Sequence, residues 1–130
     1  MRGCELIIIT ESGGESTLFE AKATLEEERE GVKVRYLIDG DEGELLFSEN
    51  SVSMTRRGKC GLQATFCEGE NTQMLLGDAA LHGAIPVRTT HYSSQKDAAK
   101  IYADLCYELF GADNIQMFSL KIQVFFSEEK

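Results

Sequence analysis

Apolar and polar residues alternate one for one along most of this chain, and the alternation restarts after each short cluster of Gly, Asp, Asn or Ser. Period-two spacing puts successive side chains on opposite faces of an extended backbone, so each run reads as a half-buried β-strand. In 18–27, Phe19, Ala21, Ala23 and Leu25 oppose Glu20, Lys22, Thr24 and Glu26. From Gly31 onward, Val32, Val34, Tyr36 and Ile38 oppose Lys33, Arg35 and Leu37. Leu62, Ala64 and Phe66 alternate with Gln63, Thr65 and Cys67. In 84–92, Ile85, Val87, Thr89 and His91 share one parity, and in 115–127 Phe118, Leu120, Ile122, Val124 and Phe126 do. Shorter runs at 5–11, 44–47, 51–57 and 72–76 complete the set. The clusters at 12–16, 39–43, 49–50, 58–61, 68–71 and 111–114 supply turns.

One stretch reads two ways. In 94–110 the residues Lys96, Ala98, Ala99 and Leu105 are good helix formers. In 100–110, however, Ile101, Ala103, Leu105, Tyr107 and Leu109 alternate with Tyr102, Asp104, Cys106 and Glu108, and a strand is expected. Pro86 sits near the start of its run, where a strand tolerates it. About eight to ten short strands in meander order, joined by tight turns, predict an all-β, antiparallel up-and-down barrel.

The 130 residues form one domain, 1–130, by size. No linker, repeat or low-complexity segment divides them. Thirteen basic against 22 acidic residues give a formal net charge of -9. Nucleic-acid binding needs a dense basic face, and anionic membrane surfaces attract basic ones, so both partners are excluded as expectations. No apolar run approaches the ~18 residues of a membrane span. The four apolar residues at 6–9 are too few for the core of a signal peptide, so a cytoplasmic location is expected. Cys4, Cys60, Cys67 and Cys106 form no C-x-x-C pair, and free thiols are expected in a reducing compartment. Cys60 and Cys67 could approach each other across a hairpin, but a disulfide between them is not expected in a reducing cytosol.

The chemistry-bearing candidate is Arg56. Ser51, Ser53, Thr55 and Arg57 take the polar side of their strand, whereas Arg56 falls with Val52 and Met54 on the apolar side. An inward arginine needs a carboxylate, carbonyl groups or an anionic ligand. Two readings stay open: an anchor for an acidic ligand, or a structural arginine paired with an acid at the barrel end. His91 shares parity with Val87 and Thr89 and is expected near a barrel mouth, while Arg88 is expected outside. His82 falls in an expected turn. Two histidines and scattered cysteines make no recognised metal spacing, and no cofactor is implied. Nucleophile-elbow, P-loop and H-E-x-x-H motifs are absent, so no catalytic residue is assigned and an enzyme is not expected. The acidic run at 26–30 reads as a solvated loop between strands.

The segments 36–38, 43–45 and 54–58, with Phe66, 85–89 and 120–124, resemble the YwiB-like family in order and spacing. These are small bacterial proteins of uncharacterised function with a calycin-like, lipocalin-type β-barrel. The resemblance spans nearly the whole chain and departs from the pattern in 77–83 and 93–100. It implies a calycin-like barrel, a bacterial cytoplasmic setting and, at Arg56, the family's arginine two residues before a glycine. It implies no activity, because a fold does not carry one.

Two functions from different classes follow. The first is a barrel that binds a small anionic or amphipathic molecule inside, with Arg56 holding the acidic group and Tyr36, Met54, Phe66 and His91 around it. The second is a non-enzymatic interaction protein with a filled core, acting through a surface edge or a homodimer contact. The run at 6–9 supports the second, since both faces of that strand are apolar and one needs covering.

Overall fold

The computed structural model describes residues 2–59, 61–77 and 82–127. Among them ten strands follow one another: β1 (Arg2–Ser12), β2 (Glu15–Glu28), β3 (Gly31–Ile38), β4 (Asp41–Phe47), β5 (Ser51–Arg57), β6 (Leu62–Cys67), β7 (Asn71–Gly77), β8 (His82–Lys96), β9 (Lys100–Phe110) and β10 (Ile115–Phe126). Each pairs antiparallel with its neighbours in sequence, and β10 returns to pair with β1, so the sheet closes into an all-β, up-and-down barrel. The described residues contain no helix. The stretch 94–110 is the end of β8, a short bend and β9, with its apolar alternation intact.

Three expectations change in detail. The turn expected over 39–43 is confined to Asp39 and Gly40, both with positive φ (50° and 84°). That pair of left-handed residues is the tight hairpin connection that matches sheet twist. Asp41 therefore opens β4 and faces inward. The acidic run at 26–30 is not a loop through its length, because Glu26, Glu27 and Glu28 lie in β2, laddered to Lys33, Val32 and Gly31 of β3. Lys33 sits 2.9 Å from Glu28, so the run is tied down by cross-strand ion pairs as well as by the ladder. His82 lies at the start of β8 rather than in a turn; its side chain, like Cys60, lies outside the described residues.

The inner face is packed. Leu6, Val34, Leu45, Val52, Leu105 and Ile122 are all fully shielded from water. Phe66, Tyr107 and Phe118 run along the interior as a stack, with ring centroids 4.7 Å and 5.2 Å apart. Such contacts add to the burial of apolar area that holds the barrel together. Toward the β3–β4 hairpin end the inner side chains Phe19, Ile38, Leu62 and Leu76 are only partly covered.

The wall is not equally knit all round. The β1–β2 ladder runs from Arg2↔Leu25 to Ser12↔Glu15. The β2–β3 ladder stops at Thr24↔Arg35. Beyond that point β2 continues back to Glu15 and β3 forward to Ile38 with no ladder pairs between them. The Phe19 and Tyr36 rings, 5.7 Å apart, meet across this unladdered stretch on its inner side.

Candidate functional site

The end of the β2–β3 ladder and the inward arginine fall at the same end of the barrel. Arg56 opposes Gly43 on β4 and Leu62 on β6. Its Nε donates to Asp41 Oδ2 at 2.9 Å, and its Nη2 lies 4.0 Å from Asp39 Oδ2. Asp41 is only 5% exposed, which makes it, with Thr89, one of the two buried polar or charged side chains among the described residues. Its other oxygen, Oδ1, accepts the Lys59 backbone N–H at 3.0 Å. The local sequence is shaped for this contact. Gly58 has φ of 139°, and a Cβ there would collide with the Asp41 carboxylate. Gly43 is likewise bare because the Tyr36 ring lies over it from the opposing strand. A glycine covered by a cross-strand aromatic restores the packing that the missing side chain loses.

The five residues expected around a ligand are distributed differently from one another. Arg56 and Tyr36 are brought together, close enough that the arginine's charge acts on the tyrosine. Burial pushes the Tyr36 hydroxyl up, and the Arg56 charge pulls against it. Met54 is half-buried one inward step from Arg56, between Leu45 and Ala64. Phe66 lies deep, against Tyr107. His91 is on the outer face, not the inner one. A bulge between Thr89 and His91 shifts the register by one residue, so Thr89 stays inside, His91 turns out and Tyr92 turns in. His91 Nδ1 sits 3.6 Å from Glu68 Oε1, which also accepts the Tyr92 backbone N–H at 3.2 Å. Arg88 is exposed on the outer face.

A groove of about 580 Å³ runs over the outside of the wall from β2 across β3 and β4 to β5. Ala23, Tyr36 and Leu37 give it an apolar floor, and Lys22, Arg35, Glu42, Glu44, Thr55 and Arg57 rim it. Arg35 is held by Glu44 at 3.6 Å and Glu26 at 4.0 Å. No described carboxylate lies within ion-pair distance of Lys22 or Arg57. Leu37 is 68% exposed, although it is one of the largest apolar side chains on this face. The sequence carried one signal for this groove. Leu37 is apolar at a position whose neighbours in phase, Lys33 and Arg35, are charged. Lys22 and Arg57 looked like any other outward charge.

No family model matches the chain, and no curated protein matches it. The search of solved structures found the crystal structure of the ywiB protein from Bacillus subtilis. This barrel has the YwiB fold. The two superpose with a TM-score of 0.81 over 97% of this chain and 91% of that one, at 15% sequence identity. At that identity the likeness to YwiB concerns the fold alone. Among the described residues no group of three or more His, Cys, Asp or Glu side chains is placed to hold a metal ion. No described helix is long and apolar enough to cross a membrane.

Proposed function

We propose that this chain is a non-catalytic, calycin-like binding barrel of the cytoplasm that takes a small amphipathic anion in the β2–β3 groove. The carrying observation is the groove's composition. An exposed leucine and Tyr36 line it together with Arg57, which makes no ion pair within 4.0 Å of a described carboxylate although Glu42 stands opposite it on β4. A volume of about 580 Å³ falls in the range of small-molecule sites, a few hundred to a thousand Å³. Arg57 would hold the carboxylate or phosphate through paired N–H donors, and Tyr36 and Leu37 would cover the apolar part. Arg56 acts one layer further in. Its pairing with Asp41 fixes the end of β5, and so the start point of Arg57. The packed interior argues for this outer site over an internal one. The free thiols of Cys4, Cys67 and Cys106 suit a reducing compartment.

The test is a native mass spectrum of freshly purified protein beside a denatured one. A retained ligand shows as excess native mass that disappears on denaturation, and its mass begins to identify it. Arg57→Glu, an outer-face change that leaves the core alone, is expected to abolish the excess. Excess mass that survives Arg57→Glu would move the ligand away from this groove, and a clean apo mass for the wild type would count against the reading.

A second reading, an interaction protein acting through an edge, is favoured by a separate observation. Ile7 and Ile9 do lie on the outer face of β1, half-buried, next to Glu20 and Leu18 of β2. Leu18 is 60% exposed.

A further inference from the structure

We propose that Cys106 is a thiol-modification site, where a small amine-bearing disulfide exchanges to leave a mixed disulfide on the barrel's outer face. Three observations carry it. The first is a row of chemistry-bearing side chains. Cys106 of β9 stands directly opposite His91 of β8 and Ser119 of β10, and Ser119 stands opposite Glu11 of β1. Glu11, Ser119, Cys106 and His91 therefore lie side by side across four strands on one face. The bulge in β8 completes the row. Thr90 is its extra residue, and the Thr90 hydroxyl donates to the Cys106 carbonyl at 3.3 Å. His91 thereby comes out beside the thiol instead of pointing into the core. Side chains directly opposite each other have Cβ atoms about 5 Å apart, so the imidazole and the thiol are within reach of one another.

The second observation is the setting of the imidazole and of the other thiols. Glu68 Oε1 lies 3.6 Å from His91 Nδ1 and also accepts the Tyr92 backbone N–H at 3.2 Å. Nδ1 is thus turned to an anchored carboxylate, which leaves Nε2 to take the thiol's proton. The other charged groups around the pair are Arg88 on β8, Glu70 in the turn after β6, Lys121 on β10, and Asp104 and Glu108, which flank Cys106 on the outer side of β9. Two other described thiols are held in their protonated form. Burial pushes the Cys4 thiol up, and burial with the neighbouring Glu70 pushes the Cys67 thiol up.

The third is a hollow over the thiol, about 480 Å³ in volume. Cys106 and Ser119 line it with Thr90, Met117 and two carboxylates, Glu11 and Glu15, at the β1–β2 hairpin. No basic side chain lines it, so it suits a small molecule that carries an ammonium group. Glu11 is two strand spacings, about 10 Å, from Cys106, a gap that an aminoethyl arm and the glutamate side chain span between them. In the exchange the Cys106 proton passes to His91 Nε2, and the thiolate attacks one sulfur of the disulfide. A new S–S bond forms as the old one breaks, and the departing thiolate takes the proton from His91 and leaves as a free thiol. The small disulfide is the oxidant, and one equivalent is consumed per chain. The inference is independent of the ligand reading, because the hollow shares no residue with the β2–β3 groove.

Reduced protein is mixed with cystamine, whose two arms end in ammonium groups, or with dithiodipropionate, whose two arms end in carboxylates. Intact mass gives the rate and peptide mapping gives the site. Cystamine is expected to modify Cys106 before any other cysteine, and about tenfold faster than dithiodipropionate does. Cys106→Ser is expected to remove the fast adduct. His91→Gln is expected to slow it about tenfold at pH 7 and to leave a rate that climbs with pH until the thiol ionises unaided, near pH 8.5. Glu11→Gln with Glu15→Gln is expected to erase the preference for cystamine. These changes lie on the outer face, and unchanged circular dichroism would show that each variant folds. First modification at another cysteine, or a His91→Gln rate equal to the wild type's across the pH range, overturns the inference. A cystamine preference that survives Glu11→Gln with Glu15→Gln overturns the hollow as the binding site.

Discussion

Arg56 shows how an inward charge is accommodated in a small barrel. Its guanidinium meets a carboxylate that is itself almost wholly buried, and a backbone N–H satisfies that carboxylate's second oxygen. Removing one member strands the other, which is costlier than the net worth of the pair. Arg56→Ala is therefore expected to lower stability by about 2–4 kcal/mol, since the arginine is partly exposed and the full buried-pair penalty does not apply. Denaturant unfolding of Arg56→Ala, Asp41→Ala and the double variant gives the coupling directly. A double variant that loses less than the sum of the singles is expected; strict additivity would show that the two side chains act separately. The arginine was legible in the sequence, because its phase set it among Val52 and Met54. Its partner was not. Asp41 sat inside what read as a five-residue turn, and only the left-handed pair at Asp39 and Gly40 shows that the turn ends early enough to aim Asp41 inward.

At the scale of strands, alternation worked wherever the phase was unbroken. Val32, Val34 and Tyr36 are buried as their spacing required, and β9 holds its phase from Ile101 to Tyr107. It failed at His91, where one extra residue at the bulge reverses the parity of everything after it. A bulge changes no residue type, so a sequence pattern cannot register it. The short β2–β3 ladder was equally hidden, since the length of a ladder depends on how two strands lie in space. That short ladder predicts a contrast within one strand. Thr24 and Leu25 lie in both the β1 and the β3 ladders, and their amide hydrogens should exchange slowly. In dilute protein, alternate amides at 15–23 should exchange much faster, and those at 36–38 of β3 likewise. Uniform protection along β2 in dilute protein would mean that the seam is closed in solution.

For the molecule as a whole, the aromatic stack on the inner face links stability to pH on the alkaline side. Burial pushes the Tyr107 hydroxyl up to about 12. The unfolded chain gives up that proton near pH 10, whereas the folded barrel retains it. A folded pKa above the unfolded one means that this contribution is intact below about pH 10 and declines as pH rises toward 12. Tyr107→Phe keeps the ring between Phe66 and Phe118 and removes the ionisation. Its stability is expected to fall less steeply than the wild type's between about pH 10 and 12, as thermal unfolding at stepped pH would measure. Parallel curves for the two proteins would place the alkaline sensitivity elsewhere. The core itself was legible at this scale, because Phe66, Tyr107 and Phe118 each stood in phase with aliphatic neighbours.

The closing seam has a consequence for how the chain reaches this structure. Nine of the ten seams join strands that follow each other in sequence, so each can form as a local hairpin. The β1–β10 seam joins the two ends of the described chain, where the Ser127 N–H donates to the Gly3 carbonyl at 3.0 Å. Until β10 is in place the ribbon has two raw edges, and β1, with isoleucines on both faces, is one of them. The entropy of ring closure is therefore concentrated in a single late event. During synthesis β1 emerges before the other nine strands and acquires its last partner only once β10 has been made.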